Sequence, residues 1–66
     1  MRIQVNGAPR EIEDAATVTR LLEILELDGV RVAVAINRVV VPSTRHGVVT
    51  LDEGDSVEII HAVAGG

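Results

Sequence analysis

The last five residues of this 66-residue chain, Ala62-Val63-Ala64-Gly65-Gly66, are the part whose residue types point to chemistry. Two consecutive glycines make the thinnest peptide that enters a narrow channel, because no Cβ atom obstructs the approach of the backbone to a ligand. The α-carboxylate of Gly66 is ionised at neutral pH, since its reference pKa is about 3.5. Such a carboxylate attacks the α-phosphate of ATP to give an acyl-adenylate, and a sulfur nucleophile that displaces AMP leaves a thiocarboxylate.

This end of the chain therefore predicts a carrier whose reactive atom belongs to its own C-terminus. We expect Gly66 to bear the adenylate or thiocarboxylate, and Val63, Ala64 and Gly65 to thread into the active sites of partner proteins. Residues 63–66 would then be a flexible tail on a single domain that spans residues 1–66. A frayed chain end has the same composition, so the alternative of an incidental Gly-Gly stays open at this point.

The remaining residues predict that the chain is not an enzyme and binds no cofactor or metal ion. Nucleophilic catalysis needs a cysteine, serine or lysine beside a base, and the sequence contains no cysteine and no lysine. Ser43 and Ser56 lie among turn-type residues, and His46 is expected to be a solvated loop residue. Two histidines without cysteine are too few for a zinc site, so we expect no catalytic residue and no metal ligand.

Composition and charge exclude several classes of partner. Ten acidic residues against six basic ones give a net charge of −4, which disfavours binding to nucleic acid phosphates. The absence of aromatic residues removes base-stacking platforms. No apolar run is long enough to span a membrane, and the N-terminus lacks the apolar core of a signal peptide. We therefore expect a cytoplasmic protein that binds neither nucleic acid nor membrane.

The elements that must position the tail are predicted from hydrophobic period. Residues 1–6 alternate as a strand, Asn6-Gly7 indicates a tight hairpin turn, and residues 8–12 form the return strand. Pro9 lacks an N–H group, so this second strand is expected at a sheet edge.

A helix is predicted next, with Thr17 as its N-cap and Gly29 at the end. Its apolar stripe consists of Val18, Leu21, Leu22 and Leu25.

Strands are predicted at 30–36, 39–41 and 57–62, with a short extended piece at 48–51 and an irregular segment at 43–47. A hairpin, a helix and further strands give an α+β fold with one main helix packed across one face of a mixed sheet, the last strand parallel to the first. This is the β-grasp, or ubiquitin-like, arrangement.

A docking surface for partners is predicted beside the tail. If Val57 and Ile59 face the helix, then Ile60 points to the open face of the sheet, because neighbouring strand residues alternate. His61 and Glu58 are the further candidates for partner contact. Glu53 and Asp55 offer further negative charge to a basic partner, although such charges more often solvate a surface.

Six motifs follow one another along the chain: the N-terminal strand with its tight turn, Thr17-Val18 before Leu21-Leu22-Glu23, Ala35-Ile36-Asn37, Val41-Pro42, Gly54-Asp55 and the ending Val63-Ala64-Gly65-Gly66. In this order of motifs the chain resembles the ThiS family, the sulfur carrier proteins of thiamin biosynthesis. The resemblance covers essentially the whole length. The segment 43–47 departs from it, because it lacks the tryptophan that relatives often carry there.

The resemblance implies that an E1-like adenylyltransferase, using ATP and Mg²⁺, activates Gly66. It implies a sulfur donor such as a cysteine desulfurase, and delivery of the sulfur to thiazole synthase. Two alternatives remain: a sulfur carrier for molybdopterin, cysteine or methionine synthesis, and a ubiquitin-like protein modifier or interaction domain.

Overall fold

The computed structural model describes residues 1–61, and it begins with the predicted hairpin. Strands β1 (Arg2–Val5) and β2 (Ala8–Glu11) are antiparallel neighbours. Asn6 and Gly7 connect them with φ angles of 51° and 85°, the left-handed values of a type I′ turn. The Asn-Gly pair therefore sets this hairpin as predicted, because both residues tolerate positive φ.

A turn at Asp14-Ala15 leads into the helix α1 (Val18–Ile24). Thr17 is its N-cap, as predicted, because the side-chain oxygen accepts a hydrogen bond from the Arg20 N–H at 3.1 Å. The predicted stop at Leu27-Asp28-Gly29, with Gly29 at the C′ position just beyond the helix, is wrong, since the helix ends at Ile24.

A Schellman motif formed by residues without glycine ends the helix. Glu26 has a φ of 59°, so it occupies the left-handed position that glycine usually fills. The N–H of Leu27 donates to the carbonyl of Leu22 at 2.7 Å, and the N–H of Glu26 donates to Glu23 at 3.0 Å. These two bonds satisfy the carbonyls of Leu22 and Glu23 within the last turn, and they explain why the helix stops before the predicted point.

A second hairpin follows, made by β3 (Val32–Ile36) and β4 (Val39–Val41). Asn37 and Arg38 form its turn with φ angles of 51° and 69°, so it has the same handedness as the first. The predicted turn is confirmed, and the strand predicted from residue 30 begins two residues later.

The segment after β4 is more ordered than its polar sequence suggests. Ser43–Arg45 forms one turn of 3₁₀ helix. The extended piece predicted at 48–51 is not a strand, because only Thr50 forms a bridge, with Thr17 at the start of the helix. This segment crosses the helix N-terminus instead of running beside a strand, so it finds one ladder partner only.

The last strand, β5 (Ser56–His61), lies in the middle of the sheet. The strand order is β2-β1-β5-β3-β4. β5 runs parallel to β1, where Val57 is opposite Val5, and antiparallel to β3, where Ile59 is opposite Val34. The mixed sheet, the parallel first and last strands and the edge position of β2 confirm the predicted architecture.

The core lies between the sheet and the helix and is wholly aliphatic. The buried side chains come from the strands, the helix and the segments that connect them. Together these aliphatic side chains cover one face of the sheet without any aromatic residue. The buried residues are Ile3, Ile12, Ala16, Val18, Leu21, Leu22, Val34, Leu51, Val57 and Ile59. Within residues 1–61, no helix has the length and apolar character needed to cross a membrane.

Candidate functional site

β5 has two different faces, and it leads directly into residues 62–66 of the sequence. Val57 and Ile59 are 0% and 7% exposed and pack into the core. Ile60 is 62% exposed on the opposite face of the strand. The predicted alternation is therefore correct, and a large apolar side chain lies in solvent close to the end of the described chain.

Ile60 belongs to a small apolar surface, which we call the open-face patch: Ala33, Ala35, Val40 and Ile60. The pairing register places Ala33 opposite Ile60, and Ala35 opposite Val40. Val40 is 70% exposed, and the two alanines are small enough to let a partner approach the β3 backbone closely. Of these four residues, sequence reasoning assigned only Ile60 to the docking surface, although the alternation of valine and alanine in β3 carries the signal for Ala33 and Ala35.

Glu58 and His61, the other two predicted contact residues, lie on different faces of β5. Glu58 pairs with Ala35 on the open face and is exposed. His61 pairs with Val32, one residue beyond Ile60, so alternation directs it to the helix side, where it is also exposed. The structure thus brings Glu58 and Ile60 together and separates His61 from them.

Glu53 and Asp55, the two acidic residues expected to offer charge to a basic partner, form hydrogen bonds within the fold. The carboxylate of Glu53 accepts hydrogen bonds from the Arg2 N–H at 3.2 Å. Asp55 accepts from the Asn37 amide at 3.0 Å and from the Asp52 N–H at 2.8 Å. Both carboxylates therefore stabilise the turn before β5, and Glu58 is the candidate acid that lies on the open face.

The expectation that His46 is a solvated loop residue is wrong. Its side chain is half-buried, and Nε2 lies 3.1 Å from the carbonyl oxygen of Val41. Because a carbonyl only accepts, Nε2 carries the hydrogen. The His46 carbonyl also accepts from the Thr19 N–H at 3.0 Å, so this residue ties the 3₁₀ turn to the helix.

The asparagines of both hairpin turns hold β5 through their side chains, a role that sequence reasoning missed. Asn6 donates to the carbonyl of Ile59 at 3.3 Å and accepts from the Ile59 N–H at 2.8 Å. Asn37 accepts from the Ser56 N–H at 3.0 Å. An asparagine at positive φ is explained by the turn alone, so a single sequence gives no signal for these contacts, which join residues 53 and 19 positions apart.

The charged pairs of the helix lie apart from β5. Arg20 Nε donates to Glu13 at 2.9 Å, and this hydrogen bond is the main reason that the pKa of Arg20 is raised, followed by the charge of Glu13 and then that of Glu23. Within residues 1–61 there is no cluster of three or more histidine, aspartate or glutamate side chains placed to hold a metal ion. The predicted tail residues, Val63, Ala64, Gly65 and Gly66, lie outside the described residues, as does Ala62 of the predicted last strand.

A central strand parallel to the first strand, two flanking hairpins and one helix on a single face define the class of this protein. It has a β-grasp, ubiquitin-like fold. The described part of the chain therefore ends at the end of the central strand of the sheet and not at a sheet edge.

Comparison with known proteins identifies the family. The sequence profile described as the ThiS family matches residues 3–66, so the chain belongs to the ThiS family. It is similar to the crystal structure of the thiamine biosynthesis protein ThiS from Geobacter metallireducens, with a TM-score of 0.87 and 30% sequence identity over the full length of both chains.

Curated relatives include proteins of very different length. The chain is 38% identical over 66 residues to the thiazole synthase of Magnetococcus marinus, a match that covers all of this chain and 20% of the relative. It is 34% identical over 64 residues to the protein ycf40 of Pyropia yezoensis, which covers 97% of this chain and 90% of the relative. The chain thus spans about a fifth of the length of the thiazole synthases it matches.

Proposed function

We propose that this protein carries sulfur for the formation of the thiazole ring in thiamin biosynthesis. The observation that carries the proposal is the position of β5: the central strand of a ThiS-family fold leads straight into the Ala62–Gly66 sequence. A rigid strand in the middle of the sheet supports the base of a carrier arm. The similarity to proteins named for thiamine biosynthesis and thiazole synthase supports this pathway over the synthesis of molybdopterin, cysteine or methionine.

The proposed chemistry takes place at the α-carboxylate of Gly66. A carboxylate oxygen attacks the α-phosphorus of ATP, the bond to the β-phosphate oxygen breaks, and pyrophosphate leaves. Hydrosulfide then attacks the acyl carbon, AMP leaves with the former carboxylate oxygen, and a thiocarboxylate remains after loss of a proton. When a persulfide from a cysteine desulfurase supplies the sulfur, a thiol must reduce the resulting acyl disulfide.

An E1-like adenylyltransferase supplies the ATP site and the Mg²⁺ that stabilises the negative charge of the phosphates. This chain is a co-substrate in that scheme and not a catalyst. Thiazole synthase is the proposed acceptor of the sulfur. We expect these exchanges in the cytoplasm, with Val63, Ala64 and Gly65 inside the partner channel, where small side chains avoid steric conflict.

The open-face patch is the proposed docking surface for these partners. Its apolar side chains lie on the same face as Glu58, which suits a partner with an apolar centre and a basic group at the rim. His61 lies on the other face of β5, so we propose that it contacts the wall of the partner channel and not the same surface.

The test is the intact mass of the 66-residue protein after incubation with ATP, Mg²⁺, hydrosulfide and its cognate E1-like adenylyltransferase. We expect a mass gain equal to the replacement of one oxygen by one sulfur, located on the C-terminal fragment. Adding thiazole synthase with its substrates should then remove the sulfur. No gain with an enzyme that modifies a control carrier would contradict the proposal, and amide-linked adducts would favour a protein modifier instead.

Variants of the tail give the first specific prediction. Deletion of Gly66, or Gly65→Phe, should abolish sulfur loading, because the first moves the carboxylate away from the reacting phosphorus and the second blocks a narrow channel. The matched control is Ala64→Gly, which thins the tail and should retain loading. Full loading of either disruptive variant, with far-UV circular dichroism unchanged, would contradict the carrier chemistry.

A further inference from the structure

The ladder between β1 and β5 ends before β5 does. The backbone N–H of Gln4 donates to the carbonyl of Asp55 at 2.9 Å, and that of Asn6 donates to Val57 at 2.9 Å. In a regular parallel ladder, the N–H of Ile59 would next donate to the backbone carbonyl of Asn6. The turn at Asn6, with its φ of 51°, takes the backbone away from β5 at this point.

The side chain of Asn6 replaces the missing backbone contact. Its Oδ1 accepts from the Ile59 N–H at 2.8 Å, and its Nδ2 donates to the Ile59 carbonyl at 3.3 Å. One amide thus holds both backbone polar groups of a residue that is 7% exposed. Without this side chain, the hydrogen bonds between β1 and β5 would end at Val57. Residues 58–61 would then be hydrogen-bonded to β3 alone.

We propose that Asn6 is a positioning residue that fixes the direction in which the chain leaves β5 toward its C-terminus. This inference rests on the proposed function, because direction matters only if the tail must enter a partner. Two residues, Ile60 and His61, separate the held residue from Ala62, where the last five residues of the sequence begin. A hydrogen bond at Ile59 restrains the backbone of Ile60 and His61, and a fixed direction at His61 raises the fraction of docked complexes that are aligned for reaction.

The second hairpin provides a matched control. Asn37 also has a φ of 51° in a type I′ turn, and its side chain also holds the β5 backbone, but at Ser56, the first residue of the strand. Asn6→Gly and Asn37→Gly keep the positive φ that each turn needs, and each removes two side-chain hydrogen bonds. Those of Asn6 both go to the Ile59 backbone, whereas those of Asn37 go to the Ser56 N–H and the Asp55 carboxylate. Asn6→Asp is the conservative variant, because it keeps the acceptor for the Ile59 N–H and loses the donor.

Amide hydrogen exchange tests the contact itself. In Asn6→Gly we expect amide exchange at Ile59 to accelerate about tenfold, because both hydrogen bonds between Asn6 and Ile59 are lost and each has a small net free energy. The exchange rate at the core residue Leu21 should change little. In Asn37→Gly the acceleration should occur at Ser56 instead. Unchanged exchange at Ile59 in Asn6→Gly would overturn the proposal without reference to any partner.

Steady-state kinetics of the adenylyltransferase, with this protein as the varied substrate, test the effect on direction. For Asn6→Gly we expect kcat to fall about fivefold or more with KM within about twofold, because the docking surface is intact and alignment of the tail is impaired. Asn6→Asp should fall between this variant and the wild type, and Asn37→Gly should match the wild type. Equal losses of kcat in the two glycine variants would overturn the proposal, since they would reflect general loosening of β5.

Failure of the proposed function is distinguishable from failure of this inference. A wild-type chain that an active adenylyltransferase does not modify would overturn the carrier proposal, and the exchange measurement would still decide whether Asn6 holds the end of β5. A modified wild type with an unaffected Asn6→Gly variant would overturn the positioning role alone.

Discussion

At the scale of single residues, Glu26 occupies a backbone conformation that normally belongs to glycine. Its φ of 59° closes the Schellman motif at the end of α1, and an L-residue with a side chain pays about 1 kcal/mol or more for it. Glu26→Gly should therefore raise the free energy of unfolding by about 0.5–1 kcal/mol. Urea unfolding followed by far-UV circular dichroism measures the change.

The control for this prediction is the same substitution three positions earlier. Glu23 lies inside the helix and is exposed, so Glu23→Gly should lower stability by about 1 kcal/mol through the poor helix propensity of glycine. Opposite signs for an identical change would show that the conformation of residue 26 decides the effect. A loss of stability in Glu26→Gly would contradict the interpretation.

At the scale of elements, the two faces of β5 separate the residues that stabilise the fold from the proposed docking surface. Ile59→Ala should lower the free energy of unfolding by about 2–4 kcal/mol, because it removes a buried side chain from the core. Ile60→Ala should change stability by less than about 0.5 kcal/mol, since this side chain is in solvent. We expect it instead to raise the KM of the adenylyltransferase or to weaken binding to thiazole synthase.

These two effects are measured on the same protein preparations. Unfolding midpoints report the fold, and titration of each variant with each partner reports docking. Binding of Ile60→Ala equal to that of the wild type, for both partners, would remove the open-face patch from the proposed interface. Binding of Ile59→Ala to each partner is measured below its unfolding midpoint, because an unfolded variant fails to bind whether or not the docking surface is affected.

The sequence predicts the strands and turns better than it predicts contacts between distant residues, because strands and turns follow local rules. The hairpin at Asn6-Gly7, the edge position of the Pro9 strand and the faces of β5 follow from local rules on φ, backbone donors and alternation. The predicted end of the helix is wrong because nothing in the neighbouring sequence indicates that Glu26 adopts a left-handed conformation. The side-chain contacts of Asn6 were missed because their partner is 53 residues away and is brought near only by the parallel pairing of β1 with β5.

At the scale of the whole molecule, ten buried aliphatic side chains, alanine included, form the core of residues 1–61. The sequence offers neither an aromatic residue nor a cysteine for a disulfide. A domain of this size has a total stability of about 3–10 kcal/mol. Each large core residue therefore accounts for a substantial fraction of the free energy of unfolding, whereas the exposed ion pairs of the helix contribute little to it.

Leu21 tests this dependence, because it is fully buried at the point where the helix meets the sheet. Leu21→Ala should lower the free energy of unfolding by about 2–5 kcal/mol through lost apolar contacts and a residual cavity, enough to unfold much of the protein at 37 °C if the total stability is at the lower end of its range. Leu25→Ala, at a half-buried position of the helix end, should cost about half as much. Since the sequence lacks tryptophan and tyrosine, far-UV circular dichroism must follow the transition. Equal, small losses in both variants would mean that the core adjusts around the missing side chains, and that the stability of this small fold lies in its hydrogen-bonded sheet.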